Sequence, residues 1–146
     1  MIREIEKQDL NNLLLLYTQL HNDPIPENSY VLKTLWEKIL ADQNHHIIVA
    51  VDEEKIVSSC VIVIVPNLTH NQRSYALIEN VITDISYRRK GIAMACLNYA
   101  KEIALKENCY KIMLLTGSKE SGTLQFYERA GFNCHDKTAF IQWLNL

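Results

Sequence analysis

Residues 79–93 read ENVITDISYRRKGIA, and this stretch decides how the rest of the chain is interpreted. It predicts the end of an apolar strand, a short turn, a basic loop with one glycine, and then an amphipathic helix. Amide groups at a helix N-terminus are unpaired and lie at the positive end of the helix dipole, so they bind anions. With Arg88, Arg89 and Lys90 beside them, they predict a phosphate or pyrophosphate site. The loop alone leaves open an ordinary solvated helix start.

A second pattern supports the first. The spacing R-x-x-G-x-A at residues 88–93 directly follows the strand end at residues 81–83, and QFYERAGF occupies residues 125–132. Gly91 lets the backbone approach an anion without an intervening Cβ atom. In this order, and separated by a helix and a strand, the two patterns resemble the GNAT family of N-acetyltransferases. The resemblance is firm over residues 74–132 and general in the residues before them.

The resemblance implies a mixed α/β fold, in which a central mixed sheet with two splayed parallel strands is flanked by helices. Those strands are residues 76–83 and 111–116, and the pantetheine arm of acetyl-CoA, the implied cosubstrate, lies between them. The implied cofactor-binding residues are Val81, Ile82, Thr83, Arg88, Arg89, Lys90, Gly91, Ile92 and Ala93. Relatives often carry an asparagine near Glu120 that contacts the cofactor. Whether Glu120 or Ser121 replaces that contact stays open.

Two catalytic residues follow from the same resemblance. Tyr127 matches the family's tyrosine, which implies that it donates a proton to the CoA thiolate. The alternative is a tyrosine that only packs between helix and sheet. Glu79 is the candidate general base, and strand alternation predicts that it shares a face with Val81 and Thr83, near a cleft. The alternative is a partly exposed or ion-paired glutamate.

The predicted reaction moves an acetyl group from acetyl-CoA to a primary amine of a small molecule or peptide by direct nucleophilic attack. Neutralising a lysine-like amine at pH 7 costs roughly 4.6 kcal/mol, which a general base near the acceptor lowers. Strand amides supply donors for the developing oxyanion. The alternative is a catalytically silent CoA-binding sensor or interaction domain.

The sequence leaves the acceptor amine open. The run CYKI at residues 109–112, followed by the late FYE pattern, gives a weaker similarity to glucosamine-6-phosphate N-acetyltransferases. Acceptor specificity in the family depends mainly on the first two helices and the closing loops. Those segments of this chain carry no pattern that identifies an amine.

Composition fits a single domain over residues 1–146, because 48% hydrophobic and 22% charged residues are typical of a globular protein. A net charge of −2 argues against nucleic acid as a partner. The leucine run at residues 13–16 is far too short to span a bilayer, so no membrane segment is predicted. No metal is predicted, since His45 and His46 are adjacent on a strand and point to opposite faces.

The four cysteines lack metal-ligand spacing, and Cys60, Cys96 and Cys109 lie in apolar patterns. We therefore expect mostly buried thiols and a cytoplasmic protein. The apolar run FIQWL at residues 140–144 is expected to belong to a last strand. It lies either in a homodimer interface, as many relatives are homodimers, or in the core of the monomer.

Periodicity and capping residues predict the remaining elements. Asp9 and Ser29 are expected to cap two amphipathic helices. A hairpin is expected across residues 52–55, and the apolar run at residues 110–116 predicts a strand covered on both faces. The order strand, helix, strand in the second half predicts a right-handed crossover between parallel strands. The predicted strands are residues 2–5, 46–51, 56–65, 75–83, 110–116 and 138–144, and the late helices are residues 89–107 and 119–130.

Overall fold

The computed structural model describes residues 1–145. They cluster into two compact units, Met1–Leu114 and a second that begins at Leu115. The strands are β1 (Ile2–Glu4), β2 (His45–Asp52), β3 (Lys55–Val65), β4 (Tyr75–Thr83) and β5 (Ile112–Leu114). The helices are α1 (Leu10–His21), α2 (Tyr30–Ala41), the single turn α3 (Thr69–Gln72), α4 (Ile92–Lys106) and α5 (Ser121–Arg129), and only α5 lies in the second unit.

The strands of the first unit form one mixed sheet in the order β1-β2-β3-β4-β5. The first four are antiparallel neighbours, whereas β4 and β5 run parallel and are connected through α4. A parallel pair needs such a crossover connection, because a tight turn reverses the chain direction. The predicted mixed α/β fold and the parallel pairing across a helix are therefore confirmed.

The predicted hairpin of β2 and β3 is confirmed and lies inside the sheet. Its two turn residues adopt positive φ, 45° at Glu53 and 67° at Glu54. Two-residue hairpins favour this conformation because its twist matches that of the flanking strands. Glutamate adopts positive φ less readily than glycine or asparagine, so the strands on either side impose the turn here.

Helices cover both faces of the sheet. On one face, Leu13, Leu16 and Trp36 of α1 and α2 pack on strand residues that include Val61 and Ile82. On the other face, α4 packs mainly against β3. The buried residues of α4 are Cys96, Leu97, Ala100 and Ala104. Because burial of apolar surface contributes about 25 cal/mol per Å², both layers stabilise the unit.

Of the two predicted helix caps, the one at Ser29 is confirmed and the one at Asp9 is not. Ser29 Oγ accepts a hydrogen bond from Leu32 N at 3.2 Å, so Ser29 caps α2 as predicted. Asp9 precedes α1, but its side chain makes no capping hydrogen bond to that helix, so that prediction is wrong. The carboxylate accepts a hydrogen bond from Glu6 N, before the turn that leads into α1, at 2.8 Å. It also accepts two hydrogen bonds from the Arg3 guanidinium, at 2.6 and 3.1 Å. A bidentate, charge-assisted pair is stronger than a neutral amide cap, and it outcompetes the cap here.

The predictions for the end of the chain are partly wrong. Residues 138–144 form no strand, and Phe140 and Trp143 are 91% and 67% exposed. This run therefore does not complete the core of the monomer. An apolar run forms a strand only where a neighbouring strand supplies backbone hydrogen bonds, and the described structure gives this run none.

β5 is also shorter than the predicted residues 110–116, and Met113 at its centre is 37% exposed. The exposure of Met113 shows that the predicted cover on both faces is wrong. Among the described residues, β5 lies at the edge of the sheet beside β4. The predicted buried thiols are confirmed at Cys60, Cys96 and Cys109, whereas Cys134 is exposed. Within residues 1–145, no helix has both the length and the apolar character needed to cross a bilayer.

Candidate active site

The centre of β4 contains a β-bulge. Ser59 of β3 lies opposite Ile82, and Val61 lies opposite Glu79. One residue of β3 therefore faces two residues of β4, Asn80 and Val81. Asn80 adopts a left-handed conformation with φ 51°, which asparagine tolerates better than most residues. An extra residue of this kind interrupts pairing and bends the strand, and bulges often lie beside active sites.

The bulge overturns the predicted orientation of Glu79. Residues directly opposite each other on antiparallel strands point to the same face, so Glu79 shares a face with Val61, and Ile82 shares it too. That face is the one covered by α1 and α2. Glu79 therefore does not share a face with Thr83, whose hydroxyl meets the Ser58 hydroxyl at 2.8 Å. The added residue shifts the two-residue alternation by one. Glu79 itself is exposed.

Pairing with β5 ends where the bulge begins. Only residues 76–78 of β4 pair with residues 112–114 of β5, whereas β4 continues to pair with β3 as far as Thr83. Within the sheet of the first unit, residues 79–83 of β4 therefore have strand pairing on one side only. Backbone groups in this half have no strand partner on the β5 side, and those that find no other partner can bind a ligand. Thr83 O is not among these free groups, because it accepts a hydrogen bond from Arg88 Nε.

The turn after β4 is anchored by Asp84. This buried carboxylate accepts a hydrogen bond from Ser86 N at 2.8 Å and lies 3.0 Å from Lys55 Nζ. It also accepts a hydrogen bond from Gln19 Nε2 at 3.2 Å. The Ser86 amide, followed by the Lys55 ammonium, lowers the pKa of Asp84 to about 2. The turn that leads into the basic loop is thus tied to both α1 and β3.

The basic loop ends at the N-terminus of α4. Arg89 and Gly91 both adopt left-handed conformations, with φ 62° and 78°, so the helix begins at Ile92 and not at the predicted Arg89. A Cβ atom added to Gly91 would meet nothing within 4 Å. The glycine is therefore required by its backbone conformation, and the space in front of it is open.

The charges and amides of this loop suit an anion. Arg88, Arg89 and Lys90 are exposed, although Arg88 Nε also donates a hydrogen bond to Thr83 O at 3.1 Å. Within residues 1–145, no side chain caps the first turn of α4. Its amides remain available at the positive end of the helix dipole. The loop thus offers oriented donors, cations and open space to a phosphate group.

Tyr127 lies in α5, in the second unit, and is half-buried. Its ring meets those of Phe126 and Phe132 edge-on, with centroid distances of 5.1 and 6.2 Å. Phe132 N also donates a hydrogen bond to Tyr127 O at 3.0 Å. The FYExxGF pattern is therefore a small aromatic cluster that closes the end of α5. At the other end, Glu120 precedes the helix and Ser121 is its first residue.

Known proteins resemble this chain in sequence and in fold. Residues 8–132 match the Acetyltransferase (GNAT) family. The solved structure of a putative acetyltransferase from Agrobacterium tumefaciens str. C58 is similar to this fold, with a TM-score of 0.91. That protein is 36% identical to this chain, and the match covers 99% of both chains.

Two curated relatives are longer than this chain. The glucosamine 6-phosphate N-acetyltransferase of Trypanosoma brucei brucei is 36% identical over 83 residues, which are 57% of this chain and 54% of that protein. An uncharacterized N-acetyltransferase of Methanocaldococcus jannaschii is 26% identical over 99% of this chain and 65% of its own length. This chain thus spans between about half and two thirds of the relatives' lengths. Because the family match covers most of the chain, the protein belongs to the Acetyltransferase (GNAT) family.

Proposed function

We propose that this protein transfers an acetyl group from acetyl-CoA to a primary amine of a small molecule or peptide. The observation that carries the proposal is the half of β4 that contains the bulge. Its residues 79–83 have one side open and lead directly into the basic loop at the start of α4. A thioester carbonyl and a pyrophosphate on one ligand match this sequence of backbone donors and cations.

The residues present fit acetyl-CoA as cosubstrate. The loop at residues 88–93 would hold the pyrophosphate through amides and cations, since Gly91 leaves open space and α4 is uncapped. The strand end at residues 81–83 would hold the pantetheine arm by backbone hydrogen bonds. Whether Glu120 or Ser121 adds a contact is part of the same proposal, because both lie at the start of α5.

Proton transfer is assigned to two side chains. A lysine-like amine must lose a proton before it attacks, at a cost of roughly 4.6 kcal/mol at pH 7. Glu79 is exposed beside the bulge and would accept that proton directly or through one water, as a general base does. The amine nitrogen then bonds to the acetyl carbon, and the carbon–sulfur bond breaks. Tyr127 would give a proton to the departing thiolate, and the second proton that the amine nitrogen loses on becoming an amide would restore the tyrosine hydroxyl.

The experiment is a screen for thiol release from acetyl-CoA with amines as acceptors. The panel should contain amino sugars, amino sugar phosphates, small metabolite amines and peptides, because similarity to a glucosamine 6-phosphate N-acetyltransferase covers only part of the chain. We expect turnover with at least one amine and a large loss of kcat in Tyr127→Phe. Tyr99→Phe is the matched control, since Tyr99 lies on α4 and is 37% exposed.

The competing function is a catalytically silent CoA-binding sensor. Calorimetric titration with CoA tests what both proposals require, namely that CoA binds, and the amine panel then separates them. Binding of CoA together with silence across the amine panel would favour the sensor. Full turnover by Tyr127→Phe on a true substrate would remove Tyr127 from the assigned role. Tight binding of ATP in place of CoA would contradict both functions.

We also propose that the 146 residues act as one cytoplasmic domain that forms a homodimer. The support for self-association is the apolar run at residues 140–144, in which Phe140 and Leu144 are 91% and 77% exposed. Large exposed apolar groups in one segment mark contact surfaces. Sedimentation at micromolar concentration tests this. A wild-type monomer would contradict it, and Phe140→Ser should shift a dimer towards monomer.

A further inference from the structure

Tyr87 connects the hairpin of β2 and β3 to the basic loop, and the proposed reaction does not use it. It ends the short turn Ile85–Tyr87 that follows β4, and it is half-buried. Its hydroxyl donates a hydrogen bond to Asp52 Oδ2 at 2.9 Å. Lys55 Nζ and Lys90 Nζ lie over its ring, 5.5 and 5.2 Å from the ring centroid. One side chain therefore contacts both the hairpin and the loop.

The contacts on the hairpin side hold the ring in place. Asp52 and Lys55 pair across the two-residue turn of the hairpin, and Lys55 Nζ also lies 3.0 Å from the Asp84 carboxylate. The backbone of Tyr87 is held as well, since its amide donates a hydrogen bond to Asp84 O at 2.8 Å. The hydrogen bond to Asp52 raises the pKa of the Tyr87 hydroxyl, which therefore keeps its proton and its partner at neutral pH.

The contact of Lys90 with this ring leaves its charge available. Within residues 1–145, no carboxylate forms a salt bridge with Lys90, whereas Lys55 is paired with Asp84. An aromatic face attracts a cation through its quadrupole, and unlike a carboxylate it carries no charge that neutralises the cation. Lys90 is thus held by a contact that leaves its positive charge for an anion.

Lys90 also lies beside the amides that are proposed to hold a pyrophosphate. It directly precedes Gly91, the residue before the first turn of α4. Tyr87, Lys90 and Gly91 line the same open cavity, which has a volume of about 440 Å³. A lysine that a ring already restrains loses less side-chain entropy when it binds a phosphate. The ring therefore prepares this cation for an anionic ligand.

We propose that Tyr87 is a positioning residue for acetyl-CoA, whose ring holds the Lys90 ammonium beside the amides at the start of α4. This inference rests on the proposed function, because it assigns Lys90 to the pyrophosphate of that ligand. Tyr87 acts through Lys90 and takes no part in proton transfer. Loss of its ring should therefore weaken binding of the CoA moiety and leave the transfer step unchanged.

Calorimetric titration with CoA tests the ring. Tyr87→Leu removes it, and we expect the affinity for CoA to fall about two- to fivefold, the size of a cation–π contact at an exposed site. Tyr87→Phe keeps the ring and should retain most of the affinity. Equal losses in Tyr87→Leu and Tyr87→Phe would overturn the inference, because the ring would then not be the group that matters.

Tyr75→Leu is the matched control. Lys111 Nζ lies 5.2 Å from the centroid of the Tyr75 ring, so this variant removes a similar cation–π contact. Tyr75 is the first residue of β4, at the other end of the strand from the basic loop. We expect unchanged affinity for CoA in Tyr75→Leu. A loss equal to that of Tyr87→Leu would contradict a specific role for Tyr87.

A double variant tests whether Tyr87 acts through Lys90. If it does, Tyr87→Leu combined with Lys90→Gln should bind CoA no more weakly than Lys90→Gln alone. Losses that multiply in the double variant would show that the two residues act independently and would overturn the inference.

Kinetics distinguish positioning from a general structural role. With an amine that the wild type acetylates, Tyr87→Leu should raise the KM for acetyl-CoA and leave kcat unchanged. Turnover of S-acetylpantetheine, a thioester without the pyrophosphate, should be the same in Tyr87→Leu and in the wild type. Equal losses with both thioesters, together with a lower thermal midpoint, would identify a structural residue and overturn the inference.

The outcomes also separate this inference from the proposed function. Equal affinity of the wild type and Tyr87→Leu for CoA would overturn the role of Tyr87 and leave the acetyltransferase function intact. Absence of wild-type turnover with every amine would contradict the proposed function. In that case the affinities for CoA still decide whether Tyr87 acts through Lys90, because calorimetry needs no acceptor.

Discussion

The two halves of β4 differ in almost every physical respect. Residues 75–78 pair with β3, and three of them also pair with β5, while Ala76 and Ile78 are 0% and 2% exposed. Residues 79–83 contain a left-handed residue, pair only with β3 within the sheet, and begin with two exposed polar side chains. The first half supports the fold. The second half exposes backbone and a carboxylate at the point where a ligand site is proposed.

The half of β4 that supports the fold ends at Ile78, and the half in which the reaction is proposed begins at the next residue, Glu79. A fully paired strand has no backbone groups to offer a substrate. An unpaired strand would lack the neighbours that hold it in place. The bulge resolves this conflict, because pairing with β3 continues on one side while pairing with β5 stops on the other.

The largest expected effect is in the first half, where Ile78→Ala should lower the free energy of unfolding by about 2–5 kcal/mol through lost burial and a cavity. Denaturant unfolding measures it. Leu68→Ala is the control, since Leu68 is 86% exposed and should change stability little. If Ile78→Ala and Leu68→Ala lowered the free energy of unfolding equally, the first half of β4 would not contribute the stability that we infer.

Substitutions in the second half of β4 should change the activity and leave the free energy of unfolding nearly unchanged. Glu79→Gln keeps the shape of the side chain and removes the base, so kcat should fall about 100-fold. The free energy of unfolding should change by less than about 0.5 kcal/mol, because the residue is exposed. Glu102→Gln, at an exposed position of α4, is the control. Turnover at the wild-type rate in Glu79→Gln would exclude a general base at this position.

The role of the basic loop at residues 88–93 can be tested at Gly91. Valine at φ 78° is strained, at a cost of about 1–3 kcal/mol, and its side chain projects into the open space in front of the loop. Because relief of this strain would move the loop amides, we expect the affinity for CoA, measured by calorimetry, to fall about fivefold or more. Gly131→Val imposes similar strain at φ 98° after α5. If the two variants lose CoA affinity equally, the loop has no specific role.

The smallest expected effect concerns the anchor of the turn after β4. The folded-state pKa of Asp84 is about 2, below the ordinary value near 3.9. The ionised carboxylate therefore stabilises the fold above the ordinary pKa, and this stabilisation is lost as the pH falls towards 2. Because Lys55 is half-exposed, we expect Asp84→Asn to cost only about 1–2 kcal/mol at pH 7.

Unfolding measured across pH checks this prediction. The difference between the wild type and Asp84→Asn should be constant above about pH 5 and should shrink towards zero near pH 2. Asp23→Asn, in the exposed segment after α1, is the control and should change the free energy of unfolding little. A difference between wild type and Asp84→Asn that persists at pH 2 would point to packing or hydrogen bonding by the amide instead of charge.

Several features were predictable because their signals are local. β4 has the predicted bounds, Tyr75–Thr83, since its β-branched and apolar residues are bounded by polar ones. Ser29 caps α2 because a hydroxyl reaches an amide three residues away. The hairpin of β2 and β3 follows from two apolar runs with a short polar break. Each signal lies within about ten residues of the structure that it specifies.

Other features were not predictable because distant residues determine them. Asp9 was expected to cap α1, but Arg3 on β1 binds its carboxylate. Glu79 was assigned to the wrong face because the bulge depends on the register of β4 against β3, which alternation along one strand does not contain. Tyr17 followed the apolar periodicity of α1, and only packing showed that its hydroxyl is buried.

The sequence by itself determined the mixed α/β class, the order of β1 to β5 with α1, α2, α4 and α5, and the basic loop before α4, because periodicity, capping and glycine positions act over short distances. The tertiary structure alone decided the bulge at Asn80, the end of β5 pairing at Ile78 and the exposure of residues 140–144. Each of these depends on which backbone groups find partners in a distant strand. A strand's own residues do not specify those partners, since backbone hydrogen bonding is common to nearly every residue.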